Sequence, residues 1–102
     1  MAMILYNTTY SVATEVADDW LRWMKRFFIS AAEATELPVS HKILRLLTEL
    51  DNGGITYSFQ LNFETMRDYI TYQELHADAL RQRMQHRFGN QFLSFDTLLE
   101  EV

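Results

Sequence analysis

The strictest alternation of apolar and polar positions lies between residues 55 and 63. Ile55, Tyr57, Phe59, Leu61 and Phe63 make one bulky face there, and Thr56, Ser58, Gln60 and Asn62 make the other. Successive side chains of a strand point to opposite faces, so this pattern predicts a strand laid on a core. Met3 to Val12 alternates as well, with Ile4, Tyr6, Thr8 and Tyr10 against Leu5, Asn7 and Thr9. Both of its faces are only weakly polar, which predicts an interior strand covered on both sides. Between these runs, Ala13 to Glu36 has a helical period: Val16, Ala17, Trp20, Leu21, Met24, Phe27, Phe28 and Ala31 share one arc, while Asp18, Asp19, Arg22, Lys25, Arg26 and Glu33 share the opposite one. Leu37-Pro38 ends it, because proline restricts the residue before it and donates no hydrogen bond.

A second strand is predicted from Ser40 to about Leu50, with Leu44, Leu46 and Leu50 on one side and Ile43, Arg45 and Leu47 on the other. It leaves through Asp51-Asn52-Gly53-Gly54, a hairpin signal because Asn and Gly tolerate positive φ. After the third strand, Glu64 to Tyr69 reads as a short helical turn. Thr71 with Glu74 makes a capping box for a longer helix whose stripe is Leu80, Met84 and Phe88, stopped at Gly89-Asn90. Phe92 to Val102 is the last strand, Leu93, Phe95 and Leu99 opposing Ser94, Asp96 and Leu98.

The order β-α-β-β-α-β predicts an α+β, ferredoxin-like single domain over residues 1–102: a four-stranded antiparallel sheet with both helices on one face. The aromatic side of the third strand should meet the helices. The other side should gather Leu5, Asn7 and Thr9 with Ile43, Arg45 and Leu47, Thr56 to Asn62, and Ser94, Asp96 and Leu98. That surface is too apolar to stand open and too polar for an ordinary core. A homodimer is therefore expected, its two sheets facing each other to close a partly polar α/β barrel.

Composition narrows the chemistry. There are no cysteines among the 102 residues, which excludes disulfides, thiolate nucleophiles and sulfur-ligated metal sites. The net charge of −5 at pH 7 supplies no general field for phosphates, and no nucleic-acid partner is expected. No stretch approaches the roughly 20 apolar residues of a membrane span, so the expected setting is cytoplasmic. Gly53-Gly54 lacks the further glycines, following helix and lysine of a phosphate loop. The aromatics Tyr57, Phe59 and Phe63 lack the basic, glycine-rich context of an RNA-binding platform.

His41, His76 and His86 stand at unrelated spacings, so no metal site is expected; ten residues separate the last two, a turn of about 280° around a helix. His76 borders the Leu80/Met84/Phe88 stripe and is the one candidate acid-base imidazole. Asn7 would orient a ligand through its amide. Arg45 and Asp96 are the charged candidates on the open side, and Ser58 and Gln60 the neutral ones. Together Asn7, Arg45, Ser58, Gln60 and Asp96 form the expected ligand-binding set. No Ser-His-Asp order or carboxylate pairing at a defined helical spacing marks a catalytic set.

The stretches MILYNTTYSV, ADDWLRWMKRFFI, LLTELDNGGITYSFQ and HRFGNQFLSFDTLLEEV resemble the bacterial family known as domain of unknown function 4286, over about Met3 to Val102. The resemblance implies the fold and adds no catalytic residue. The architecture also resembles the dimeric α/β-barrel superfamily, with its small monooxygenases and haem-degrading enzymes. Haem-degrading members carry an asparagine on the first strand and a histidine on the second helix, the elements of Asn7 and His76. The tryptophan they carry near the end of the third strand is replaced here by Leu61-Asn62-Phe63, so no cofactor is expected. Three functions compete: a non-enzymatic homodimer binding a small molecule or a protein; a cofactor-light monooxygenase or isomerase using the barrel cavity; and a monomeric adaptor docking through its open sheet.

Overall fold

A computed structural model describes residues 3–48 and 53–102. Four strands, β1 (Ile4–Ala13), β2 (Ser40–Arg45), β3 (Gly54–Phe63) and β4 (Phe92–Glu100), form one sheet in the order β2-β3-β1-β4. Every neighbouring pair is antiparallel. Helix α1 (residues 17–34) follows a short 3-10 turn, Thr14–Val16, and α2 covers residues 66–88. This is the expected ferredoxin-like order, with both helices on one face. Of the hairpin, Asp51 and Asn52 lie outside the described residues; Gly53 has φ +74°, in the left-handed region that favours glycine.

The alternation of β1 and β3 builds the core as read from the sequence. Ile4, Tyr6, Thr8, Tyr10 and Val12 are buried on β1, and Tyr57, Phe59, Leu61 and Phe63 on β3. On α1 the buried positions include Ala17, Trp20, Met24 and Phe28, while the six charged residues of the opposite arc are exposed. Rings interlock between layers: Trp20 sits 5.0 Å from Tyr10 and 4.9 Å from Tyr57, centroid to centroid.

Both helices contain a π-helical turn, Met24–Phe28 in α1 and Gln73–Ala77 in α2. The sequence reading missed these. In α2 the signature is a step of five between successive buried positions, Tyr72 to Ala77; in α1 both Phe28 and Ile29, four and five residues after Met24, are buried. Five residues advance an ordinary helix well past its buried face, and the extra residue of a π turn restores the phase.

Three further expectations need correction. First, α2 is not preceded by a separate turn. It is capped by Thr65, whose hydroxyl accepts from the Asp68 N–H at 3.1 Å. Thr71 does not cap; its hydroxyl donates to the Arg67 carbonyl, four residues back, at 2.9 Å. Second, α1 stops at Ala34, before Pro38, and Glu36 takes the left-handed conformation, φ 61°, that usually falls to glycine. Third, the edge strands are turned over. Residues directly opposite in an antiparallel ladder share a face; Ile43 faces Phe59 and Arg45 faces Tyr57, which puts both on the helix side. Asp96 faces Thr8, Ser94 faces Tyr10 and Leu98 faces Tyr6, with the same result. The open side instead receives Ser40, Lys42 and Leu44 from β2, and Leu93, Phe95, Thr97 and Leu99 from β4. The cause is that core packing buries the two central strands far more completely than the edges, so apolarity on an edge strand does not identify the helix side. On its open side β1 is only half buried.

At the start of β3, a Cβ added to Gly54 would stand 2.5 Å from the Val12 carbonyl oxygen, an approach that backbone cannot yield to cheaply. Gly54→Ala is expected to destabilise the fold by about 1–3 kcal/mol, read as a lowered midpoint in urea unfolding with an unchanged m-value.

Candidate functional site

The sheet presents different chemistry on its two sides. On the open side, a chain of neutral polar groups runs over the central strands. Gln60 Nε2 donates to Ser58 Oγ at 3.2 Å, Ser58 Oγ donates to Asn7 Oδ1, and Asn7 Nδ2 donates to Thr9 Oγ1 at 3.1 Å. Apolar side chains flank this strip: Leu44, Leu46, Leu93 and Phe95 border a groove of about 690 Å³ whose floor includes Thr9 and Ser58. Phe95 is 64% exposed and Leu93 77%. Lys42 is the single charged residue among the described strand positions of this face.

On the helix side, β1, β3, β4 and both helices line a smaller, partly open cavity of about 200 Å³. Its deep wall includes Phe28, Phe59, Leu61 and Met84; its polar end is Tyr6, Thr8, Arg81 and Asp96. Asp96 accepts from the Tyr6 hydroxyl at 2.8 Å and from the Thr8 hydroxyl at 3.0 Å. These two bonds satisfy the Tyr6 and Thr8 hydroxyls that β1 turns toward the helices. Arg81 Nη1 reaches the Tyr6 hydroxyl at 3.5 Å and stands 3.9 Å from the Asp96 carboxylate. The side chains of Arg81 and Asp96 are 48% and 46% exposed, so they hold the mouth.

Burial pushes the Tyr6 hydroxyl above its usual pKa, and the Asp96 carboxylate adds to the effect while the Gln73 amide opposes it. Tyr10 and Tyr72 are raised mainly by burial. All three phenols therefore keep their protons at neutral pH, and Tyr6 donates its own to Asp96.

Of the residues singled out from the sequence, Asn7, Ser58 and Gln60 come together on the open face. Asp96 does not join them, and Arg45 borders the open-side groove with Ser58 although its ladder position is opposite Tyr57. By register Arg45 and Asp96 lie on the helix side of β2 and β4, the two outer strands. His76, half buried on the π turn of α2 with its ring 6.3 Å from Tyr72, is separated from the Asn7 strip by the sheet. His41 pairs with Glu33 at 3.0 Å, and His86 is exposed. The polar end of the inner cavity was missed, apart from Asp96. Its signal was two tyrosines and a threonine on the buried face of β1, hydroxyls that require partners from a neighbouring strand or helix. Among the described residues, no three metal-ligating side chains gather as a cation site, and no helix is long and apolar enough to cross a membrane.

The family model of domain of unknown function 4286 matches residues 3–102. The chain belongs to the DUF4286 family. No curated protein matches the sequence. Solved structures similar to this DUF4286 domain include a dimeric ferredoxin-like protein from an uncultured marine organism, with TM-score 0.70, 7% identity, and coverage of 100% of this chain and 97% of that one. An ethyl tert-butyl ether degradation (EthD) family protein from Bacillus halodurans has TM-score 0.72 and 9% identity, covering 97% and 99%. A candidate monooxygenase from Shewanella loihica PV-4 has TM-score 0.65 and 10% identity, covering 100% and 97%. At these identities the likeness is one of fold.

The raised phenols set a pH dependence. An unfolded tyrosine ionises near its ordinary pKa of 10.0 while Tyr6, Tyr10 and Tyr72 resist ionisation in the folded DUF4286 domain, so above that pH the unfolded state binds fewer protons and stability falls as pH rises. Their contribution is fully present below pH 10. Alkaline titration should show tyrosinate absorbance rising together with loss of near-ultraviolet circular dichroism. Tyr10→Phe, which keeps the ring and removes one ionising group, should flatten the slope; an unchanged slope would show that Tyr10 is not among the groups responsible.

Proposed function

We propose that this DUF4286 domain is a homodimer, joined sheet to sheet, that works by binding a small molecule rather than by catalysis. The observation that carries this reading is the open face: a nearly uncharged sheet surface with Leu44, Leu93, Phe95 and Leu99 exposed on it. A face left in water would ordinarily mix in more charge. Four strands about 4.8 Å apart and up to ten residues long give a flat area of roughly 600 Å², the order of the about 800 Å² per partner of a standard interface. The marine relative is named a dimer, which supports the same arrangement here.

Facing sheets would close a barrel around the Asn7, Ser58 and Gln60 strip. These groups already bond one another, which lowers the cost of removing them from water. The interior is then neutral and polar along its centre and apolar at its rim. Binding is favoured over oxygenase or isomerase chemistry because Asn7 and His76 lie on opposite sides of the sheet, whereas proton transfer requires direct or one-water contact.

Light scattering at micromolar concentration should give twice the mass of one chain. Phe95→Lys, at an exposed position that costs the core little, should shift the protein to monomer while leaving its far-ultraviolet spectrum intact. A wild-type monomer at these concentrations would overturn the dimer and favour the adaptor that docks through an open sheet.

A further inference from the structure

We propose that the cavity under α2 receives a single-ring aromatic molecule bearing a hydroxyl or amino donor, with the ring among Phe28, Phe59, Leu61 and Met84 and the donor on the Asp96 carboxylate. This goes beyond the binding reading above, since the cavity lies on the helix side of the sheet, away from the Asn7, Ser58 and Gln60 strip. It does not depend on the dimer, since β1, β3, β4 and both helices of one chain build the whole site.

Size sets the first limit. The space is about 200 Å³, below the roughly 300–1,000 Å³ of sites for drug-sized ligands. A cavity of about 150 Å³ lined by aliphatic and aromatic side chains holds benzene, so one ring with one small substituent fits. The wall suits such a ring. Phe28 and Phe59 meet edge to face at 5.6 Å, an arrangement that also favours a third ring, and the Met84 thioether is a soft contact for an aromatic edge.

Polarity sets the second. A carboxylate has about four acceptor sites; Asp96 uses two of them on Tyr6 and Thr8. Arg81 stands 3.9 Å away, beyond hydrogen-bond length, and so does not occupy the others. The Tyr6 proton is committed to Asp96, and its oxygen faces Arg81. What remains at the polar end is spare acceptor capacity on a fixed carboxylate, which a ligand O–H or N–H complements and a ligand carboxylate does not. Access is through the mouth held by Arg81 and Asp96, where the half-exposed Arg81 side chain can swing aside while Asp96 stays bonded to Tyr6 and Thr8.

The test uses the full chain, with phenol and aniline as donor probes and benzoate as the anionic comparator, titrated to millimolar concentration and followed by NMR. Phenol and aniline are expected to saturate, with nuclear Overhauser contacts from their ring protons to the Leu61 and Met84 methyls, and benzoate to bind at least tenfold more weakly. Asp96→Ala should weaken phenol at least tenfold. Ala77→Leu, which fills the cavity from α2 and leaves the Asp96 bonds in place, should abolish binding; thermal melting verifies that each variant is folded. Absence of phenol binding, contacts to Leu93 or Leu99 instead, equal affinity for benzoate, or undiminished binding in either folded variant would overturn the assignment. Because light scattering reads the dimer separately, failure here leaves that reading standing, and a monomer that still takes up phenol leaves this one standing.

Discussion

Ten consecutive cross-strand pairs between β1 and β3, from Ile4 opposite Phe63 to Ala13 opposite Gly54, are the constraint on which the rest depends. A slip of one residue would turn every side chain of one strand to the other face, sending Tyr57, Phe59, Leu61 and Phe63 into water and Ser58 and Gln60 beneath the helices. The burial at stake is several large aromatic side chains, each contributing on the order of 1.5–3 kcal/mol, so only one register is compatible with folding. Once it is set, both the neutral strip of the open face and the hydroxyls beneath the helices follow, because each is simply the other half of the same alternation.

The central strands and the helices were legible in the sequence for this reason. A strand packed on a core must show period two, and a helix packed on a sheet must show an apolar arc; both patterns are written in residues 4–12, 16–32, 55–63 and 77–88. The edge strands were not legible in the same way. Phe95 and Leu93 look like core residues and Asp96 like a surface one, yet Phe95 faces outward and Asp96 lies beneath α2, bonded to Tyr6 and Thr8. Local pattern assumes a single buried side per strand. Here the apolar side of β4 contributes to the open face, where a second sheet rather than a helix would cover it, and nothing within a nine-residue segment distinguishes the two kinds of cover.

The same inversion redistributes the candidate chemistry. Expected together on one face, Asn7, Ser58, Gln60, Arg45 and Asp96 divide into a neutral set outside and a charged pair of edges on the helix side. The division is physically sensible. A charge enclosed between two facing sheets would lose most of its hydration, a cost of several kcal/mol per ion even after relaxation, whereas amides and hydroxyls that bond one another lose little. At the mouth under α2, Asp96 keeps about half its side chain in water while accepting from the Tyr6 and Thr8 hydroxyls.

Why a space should exist beneath α2 at all follows from the helix itself. Tyr72 and Ala77 both border the cavity, and between them lies the π turn, Gln73–Ala77. A π turn is wider than an α turn and holds one residue more, so the backbone bows there. The residue it returns to the sheet is alanine, the smallest side chain on the buried stripe of α2. A larger residue at position 77 would occupy the gap, and an uninterrupted α-helix would bring position 76, a histidine, toward the sheet in its place. The extra residue thus keeps Leu80, Met84 and Phe88 in phase with the core while leaving room under the turn. π turns are found frequently at functional sites, and in this one the widened turn, the small side chain and the spare carboxylate capacity of Asp96 converge on the same 200 Å³.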